Sequence, residues 1–263
     1  MWNVPKNMEL KKFVDDIADV RTRRRSDNCK YLPGLKLSEF NPQLAKMLYS
    51  YYGRDAKNVL DPFAGRATRG LIANMMGKHY IGYDVSPSTI EFAENRFKYH
   101  KFSDYELYPK SSHAMDEVAD DSVDYIMTCP PYYDLEKYEH TDMQMSDCET
   151  YDDFLSIYGK IIRECYKKLR EGGLFTIVVA YWRRGRVYDL PYDTKRIAID
   201  SGFLLHDEVI SVLNSPFNYC QIGKCDEHSY TSKTHEYILT FSKGNVKKRT
   251  YKCDNRNRLE EFF

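Results

Sequence analysis

The chain has 263 residues, 42% of them hydrophobic and 30% charged, which supplies one substantial core and too little length for two full-sized domains. That balance excludes a mainly disordered chain, and the longest apolar run, Leu174 to Trp182, is about half of what a membrane span needs. Thirty-nine basic residues offset thirty-nine acidic ones, which speaks against a uniformly basic nucleic-acid binder.

Leu10, Phe13, Val14 and Ile17 recur at helical spacing and lead into the cluster Arg21-Thr-Arg-Arg-Arg25. Asn41 as cap and Pro42 in the first turn predict a helix carrying Leu44, Met47, Leu48 and Tyr51 inward and closed by Gly53. A strand over Asn58 to Asp61, a glycine-containing loop and a helix from about Thr68 to Met76 follow. His79 to Asp84 reads as a second strand, and Ser86-Pro87 opens a helix to about Tyr99. Tyr105 to Tyr108 and Val123 to Thr128 are the third and fourth strands. Thr150 with Asp153 forms a capping box for a helix presenting Phe154, Ile157, Tyr158, Ile161, Ile162, Cys165 and Leu169, which Gly172-Gly173 should stop. A buried strand over Phe175 to Tyr181, a helix over about Asp193 to Ser201 and two pairing strands, Leu204 to Leu213 and His235 to Phe241, complete the pattern. Alternating strands and helices call for an α/β fold with a doubly wound, mostly parallel sheet and ligands at the strand C-terminal ends.

Two segments carry chemistry. The loop Asp61-Pro62-Phe63-Ala64-Gly65-Arg66-Ala67 after the first strand lets the backbone approach a ligand, and the next helix presents free N–H groups. Asp84, followed by Val85 at the end of the second strand, suits the two hydroxyls of a ribose. No G-x-G-x-x-G is present, which disfavours a nicotinamide cofactor. The second segment is Thr128-Cys129-Pro130-Pro131-Tyr132-Tyr133-Asp134. Two consecutive prolines force the chain out of the sheet in a stiff turn. The Pro130 carbonyl and the Tyr132 ring then form an acceptor beside an aromatic platform, suited to a planar group bearing an amine.

The pair DPFAGRATRG and TCPPYYD resembles the S-adenosylmethionine-dependent DNA methyltransferases that modify the exocyclic amine of adenine or cytosine. The likeness runs from about Phe40 to Lys243 and includes Ser38-Glu-Phe40-Asn41-Pro42, similar to the family segment that covers the methionine end of the donor. Lys233-Thr-His-Glu-Tyr-Ile-Leu-Thr-Phe-Ser-Lys243 resembles the family's closing strand. The resemblance implies a Rossmann-like class I methyltransferase fold, with a mixed, mostly parallel seven-stranded sheet and helices on both faces. It implies S-adenosylmethionine as cofactor, held by Phe40, Asn41, Pro42, Asp61, Pro62, Phe63, Ala64, Gly65, Asp84 and Val85. It further implies that Cys129, Pro130, Pro131 and Tyr132 act on a base flipped out of double-stranded DNA, with no metal and no covalent intermediate. Ala67 stands where the family usually has a second loop glycine, and Cys129 where it has Asp, Asn or Ser. No acidic residue for the donor's adenine is evident around Lys110 to His113. The non-acidic first residue of the motif leans toward cytosine.

By this reading residues 1–37 form an N-terminal helix and basic segment, 38–243 the methyltransferase domain, and 244–263 a charged tail. Between Asp116 and Asp153 stand thirteen acidic residues against one base, Lys137, whereas Arg183-Arg184-Gly-Arg186 and Lys247-Lys-Arg249 are basic. Such segregation serves a polyanion while the whole chain stays neutral. Tyr133, Trp182, Arg183, Arg184 and Arg186 are the expected DNA contacts, within recognition segments over Tyr133 to Cys148, Tyr181 to Tyr192 and Asn214 to Thr234. Cys220, Cys225, His228 and His235 match no common zinc spacing. Seven cysteines without a compact framework and an N-terminus without an apolar stretch suit a soluble cytoplasmic chain with no membrane partner; a homodimer stays open. The same motif also serves methylation of RNA or of a protein glutamine, and a catalytically silent DNA- or donor-binding subunit is a further alternative.

Overall fold

The computed structural model describes residues 40–134, 145–213 and 233–246, together with the backbone of Trp2–Asn3. The expected N-terminal helix, the arginines at 21–25, most of the 133–148 and 214–234 segments, Cys220, Cys225, His228 and most of the charged tail lie outside the described residues.

The elements run in chain order as β1 (Trp2–Asn3), α1 (Pro42–Tyr51), β2 (Asn58–Asp61), α2 (Thr68–Met75), β3 (His79–Tyr83), α3 (Pro87–Tyr99), β4 (Tyr105–Tyr108) and β5 (Val123–Thr128). A short 3-10 turn at Met145–Asp147 precedes α4 (Tyr151–Lys168) and β6 (Leu169–Val179). A hairpin of β7 (Trp182–Arg184) and β8 (Arg186–Tyr188), helix α5 (Leu190–Asp200), β9 (Leu204–Val212) and β10 (His235–Ser242) follow. The main sheet has the order β1-β9-β10-β6-β5-β2-β3-β4. Seven strands are the full-length ones, and Trp2–Asn3 adds a short parallel rung to the β9 edge. Strands β4, β3, β2, β5 and β6 are mutually parallel, and β10 inserts antiparallel between β6 and β9. This is the class I methyltransferase architecture expected from the sequence.

Strands covered on both faces need apolar residues on both, and β2 buries Val59 to one side and Leu60 to the other. Leu48 and Tyr49 of α1, Leu71 and Ile72 of α2 and Phe97 of α3 pack with Val59 on one face. Phe154, Tyr158 and Ile161 of α4 and Ile197 of α5 pack with Leu60 on the other.

Three local expectations change. Helix α1 buries Leu44, Ala45, Leu48 and Tyr49 and leaves Tyr51 exposed, because Tyr49 packs on Tyr125 and Tyr52 donates a 2.6 Å hydrogen bond to Asp207. Gly172-Gly173 does not stop α4, which ends at Lys168; the pair lies within β6, where Gly172 takes φ +73° and the two glycines exchange backbone hydrogen bonds with Lys243. Helix α5 begins three residues early, because Asp189 accepts from the Tyr192 N–H and Pro191 sits in the first turn.

Candidate active site

At the C-terminal ends of β2, β3 and β5 lies a cavity of about 320 Å³, within the usual size of a small-molecule site. The β2–α2 loop forms its floor through Pro62, Phe63, Ala64 and Gly65. Asp84 and Val85 close one end, Phe40 and Asn41 cover it from the start of α1, and Cys129, Pro130, Pro131 and Tyr132 bound the other side. Of the fourteen residues chosen from sequence as cofactor or catalytic groups, twelve thus line this one cavity.

The remaining two are corrections. Pro42 is not on the wall; it occupies the first turn of α1, behind the Asn41 cap that accepts from the Gln43 and Leu44 N–H groups. Asp61 is fully buried beneath the loop, where five hydrogen bonds converge on its carboxylate. Arg69 donates to it from Nε (2.7 Å) and Nη2 (3.3 Å), Tyr80 from its hydroxyl (2.9 Å), Thr128 from Oγ1 (2.7 Å) and Phe63 from its N–H (3.2 Å). Arg69 Nη2 also reaches the Phe63 carbonyl at 2.6 Å. Asp61 therefore positions the loop and ties it to the end of β5 through Thr128. Burial opposes the Arg69 charge, but Asp61 outweighs it and holds the guanidinium pKa above its ordinary value.

Asp84 accepts from the Gly65 N–H at 3.0 Å and the Ser86 N–H at 2.9 Å. Burial still raises its pKa to about 6, with Asp61 adding to the rise and the two backbone donors opposing it. Gly65 takes φ +52°, and a Cβ there would stand in open space, so the loop backbone faces the cavity directly. Ala67 adopts the left-handed conformation itself, φ 53°, as the residue before α2, so the loop keeps its turn where the second family glycine is missing. The loop is held again from α3, where buried Arg96 donates to the Arg66 carbonyl at 2.6 Å and to Thr68 Oγ1 at 3.0 Å. These features fit S-adenosylmethionine: a carboxylate for ribose hydroxyls, a bare backbone cradle and an apolar floor.

Beyond Tyr132 lies an aromatic cluster. Tyr132 meets Trp182 edge-on with ring centres 5.3 Å apart, Trp182 stacks on Tyr188 at 5.0 Å, and Lys233 Nζ stands 5.8 Å from the Tyr132 ring. Trp182 is only 6% exposed, which corrects its expected role: the indole has no free face for a base and instead backs Tyr132. Tyr133 is half-buried, packs on Tyr151, Phe154 and Tyr188 and donates to the Glu149 carbonyl at 2.8 Å. Arg183, Arg184 and Arg186 are exposed on the β7–β8 hairpin, where Arg184 pairs with Asp134 at 2.9 Å and Arg186 lies over Tyr188.

Sequence reasoning missed Arg69, Arg96, Lys110, Ser111, Ser112 and Glu236. One signal was available: a cation in the first turn of a helix opposes the helix dipole, and that conflict marks Arg69 as serving something other than α2. Lys110, Ser111 and Ser112 occupy the wall where an acidic residue was sought, and Ser112 Oγ donates to the Pro62 carbonyl at 2.9 Å.

Comparison with known proteins agrees with this geometry. Over 143 residues the chain is 24% identical to a tRNA (guanine(10)-N2)-dimethyltransferase of Methanothermobacter thermautotrophicus, covering 54% of this chain and 39% of that protein. It thus spans well under half the length of that relative. TrmN from Thermus thermophilus aligns with a TM-score of 0.53 at 17% identity, over 81% of this chain and 50% of that one. A putative class I S-adenosylmethionine-dependent methyltransferase from Listeria monocytogenes aligns with 0.56 at 14% identity, over 94% and 72%. These two likenesses concern the fold. The model of the N6/N4 methyltransferase family, described as DNA methylase, matches residues 11–95 and 123–261. Because that match takes in most of the chain, the protein belongs to this family, a methyltransferase of the amino-group type that uses S-adenosylmethionine.

Proposed function

We propose that this methyltransferase modifies the exocyclic amine of cytosine or adenine in double-stranded DNA. The observation that carries the reading is the Pro130-Pro131-Tyr132 turn at the lip of the donor cavity, with its ring held by Trp182 and its carbonyl fixed by two prolines. When bound, S-adenosylmethionine supplies an electrophilic methyl group on a positively charged sulfur. Asp84 accepts from the ribose hydroxyls, the Phe63 to Gly65 backbone lines the donor, and Phe40 and Asn41 cover its methionine end. Tyr132 stacks against the flipped base, and the Pro130 carbonyl accepts a hydrogen bond from the amine, directing the nitrogen lone pair toward the methyl. Arg183 and Arg186 supply phosphate contacts from the hairpin.

RNA is the second reading, favoured by the likeness to a tRNA guanine-N2 dimethyltransferase. Labelled methyl donor offered with duplex DNA, RNA or protein, followed by digestion and mass spectrometry, separates the cases. N4-methylcytosine or N6-methyladenine from DNA is the expected product. Label confined to RNA would select the second reading, and label confined to protein would reject both.

A further inference from the structure

An exocyclic amine brings two N–H groups into a desolvated site, and each left without an acceptor carries a desolvation penalty. The Pro130 carbonyl takes one. The neighbouring Cys129 offers a thiol, a weak acceptor. Two carboxylates, Asp84 and Glu236, reach the cavity wall. Asp84 sits just past the end of β3, with one backbone N–H on each oxygen and its remaining acceptor capacity assigned to the ribose hydroxyls. Glu236 lies at the start of β10, four strands away in the sheet order, or roughly 19 Å at the usual strand spacing. The Pro-Pro-Tyr turn at the end of β5 stands between them, two strands or roughly 10 Å from β10.

Side chains alternate along β10, so Glu236 shares a face with Ile238, which packs in the same core layer as Val178 and Cys129. Among the described residues the Glu236 carboxyl makes no hydrogen bond and no ion pair. Burial raises its pKa, with Lys233 opposing the rise, and Lys233 is also the cation beside the Tyr132 ring. Glu236 therefore stands at the β10 end of the cavity, away from the ribose acid, on the face that also packs Phe40, and Lys233 connects it to the Tyr132 ring.

We propose that Glu236 is a substrate-side residue of this active site, its carboxyl oxygen accepting one hydrogen of the target amine while the Pro130 carbonyl accepts the other. This rests on the nucleic-acid reading above. The variants Glu236→Leu, Glu236→Gln and Glu236→Leu with Cys129→Asn test it, each measured for donor affinity by calorimetry and for initial rate on unmethylated DNA and on RNA. Glu236→Leu should lower the rate by about 10–100-fold, the scale of removing one acceptor from a buried donor, with donor affinity unchanged. Glu236→Gln, whose amide oxygen still accepts and whose size is unchanged, should lose less. Cys129→Asn, which places an acceptor beside Pro130, should recover part of the loss in the Leu background. Equal rates for wild type and Glu236→Leu overturn the proposal and leave the nucleic-acid reading intact. A matching loss of donor affinity also overturns it, by assigning Glu236 to the donor. A wild type that methylates neither DNA nor RNA removes the reading and this inference with it.

Discussion

Asp84 has its pKa raised to about 6 by burial, from 3.8 for an unperturbed aspartate, against the pull of the Ser86 and Gly65 N–H groups. The folded protein therefore takes up this proton more readily than the unfolded chain, and Asp84 detracts from stability as the pH rises through that interval. If Asp84 holds the ribose, donor binding follows the opposite sign, because the ionised carboxylate is the stronger acceptor for the hydroxyls. Donor affinity should fall as the pH drops below about 6, approaching tenfold per unit, while Asp84→Asn binds weakly at every pH; calorimetry between pH 5 and 8 checks both. Arg69 is the counter-charge of Asp61 in a pair whose side chains are 6% and 1% exposed. Arg69→Leu leaves a buried carboxylate unpaired and should cost about 3–5 kcal/mol in urea denaturation, with Asp61→Asn recovering part of it. At the lip, Tyr132→Ala should weaken target binding by about 1–3 kcal/mol, the worth of one stacked base, whereas Phe should retain most of it. Comparable binding by the Ala variant would show that no base stacks there.

Helix α2 lies close against β3 because Gly70 faces Tyr80. A Cβ on Gly70 would fall 2.5 Å from the Tyr80 ring and 2.8 Å from Phe97. Tyr80 donates to Asp61, so displacing the ring disturbs the carboxylate that holds the loop. Gly70→Ala should destabilise by about 1–3 kcal/mol, the usual cost of overpacking, and should also weaken donor binding. A stability loss with unchanged donor affinity would uncouple α2 from the loop. The β7–β8 hairpin works differently: its turn at Gly185 takes φ +70°, and its buried Trp182 anchors three arginines above the Tyr132 side of the site.

Over the whole molecule, a net charge of zero conceals an uneven distribution, with the hairpin arginines on a chain that also carries the acidic run from 116 to 153. If the hairpin binds phosphates, neutralising Arg183, Arg184 and Arg186 together should flatten the slope of log affinity against log salt by about one unit for each phosphate that no longer has a cation beside it. Arg184 should contribute less than Arg186, since Asp134 already engages it. An unmoved slope would return the hairpin to an ordinary solvated face. No helix among the described residues is long and apolar enough to cross a membrane.

The chain by itself determined the alternation of elements, because the period of its apolar residues and its caps at Asn41, Ser86 and Thr150 are local signals that the tertiary structure leaves intact. It also determined the two loops that meet at the cavity, since Gly65 and Pro130-Pro131 constrain the backbone wherever they stand. Only the tertiary structure decided which acids face the ligand. Asp61 and Asp84 both end strands, yet Arg69, Tyr80 and Thr128 converge on the first and leave the second at the wall. The positions of Trp182 and Glu236 were likewise set by distant partners: an indole covered by Tyr132 and Tyr188, and a carboxyl brought to the same cavity as the turn by an antiparallel strand more than a hundred residues later. Periodicity reports which face of an element is buried, but not what lies across from it.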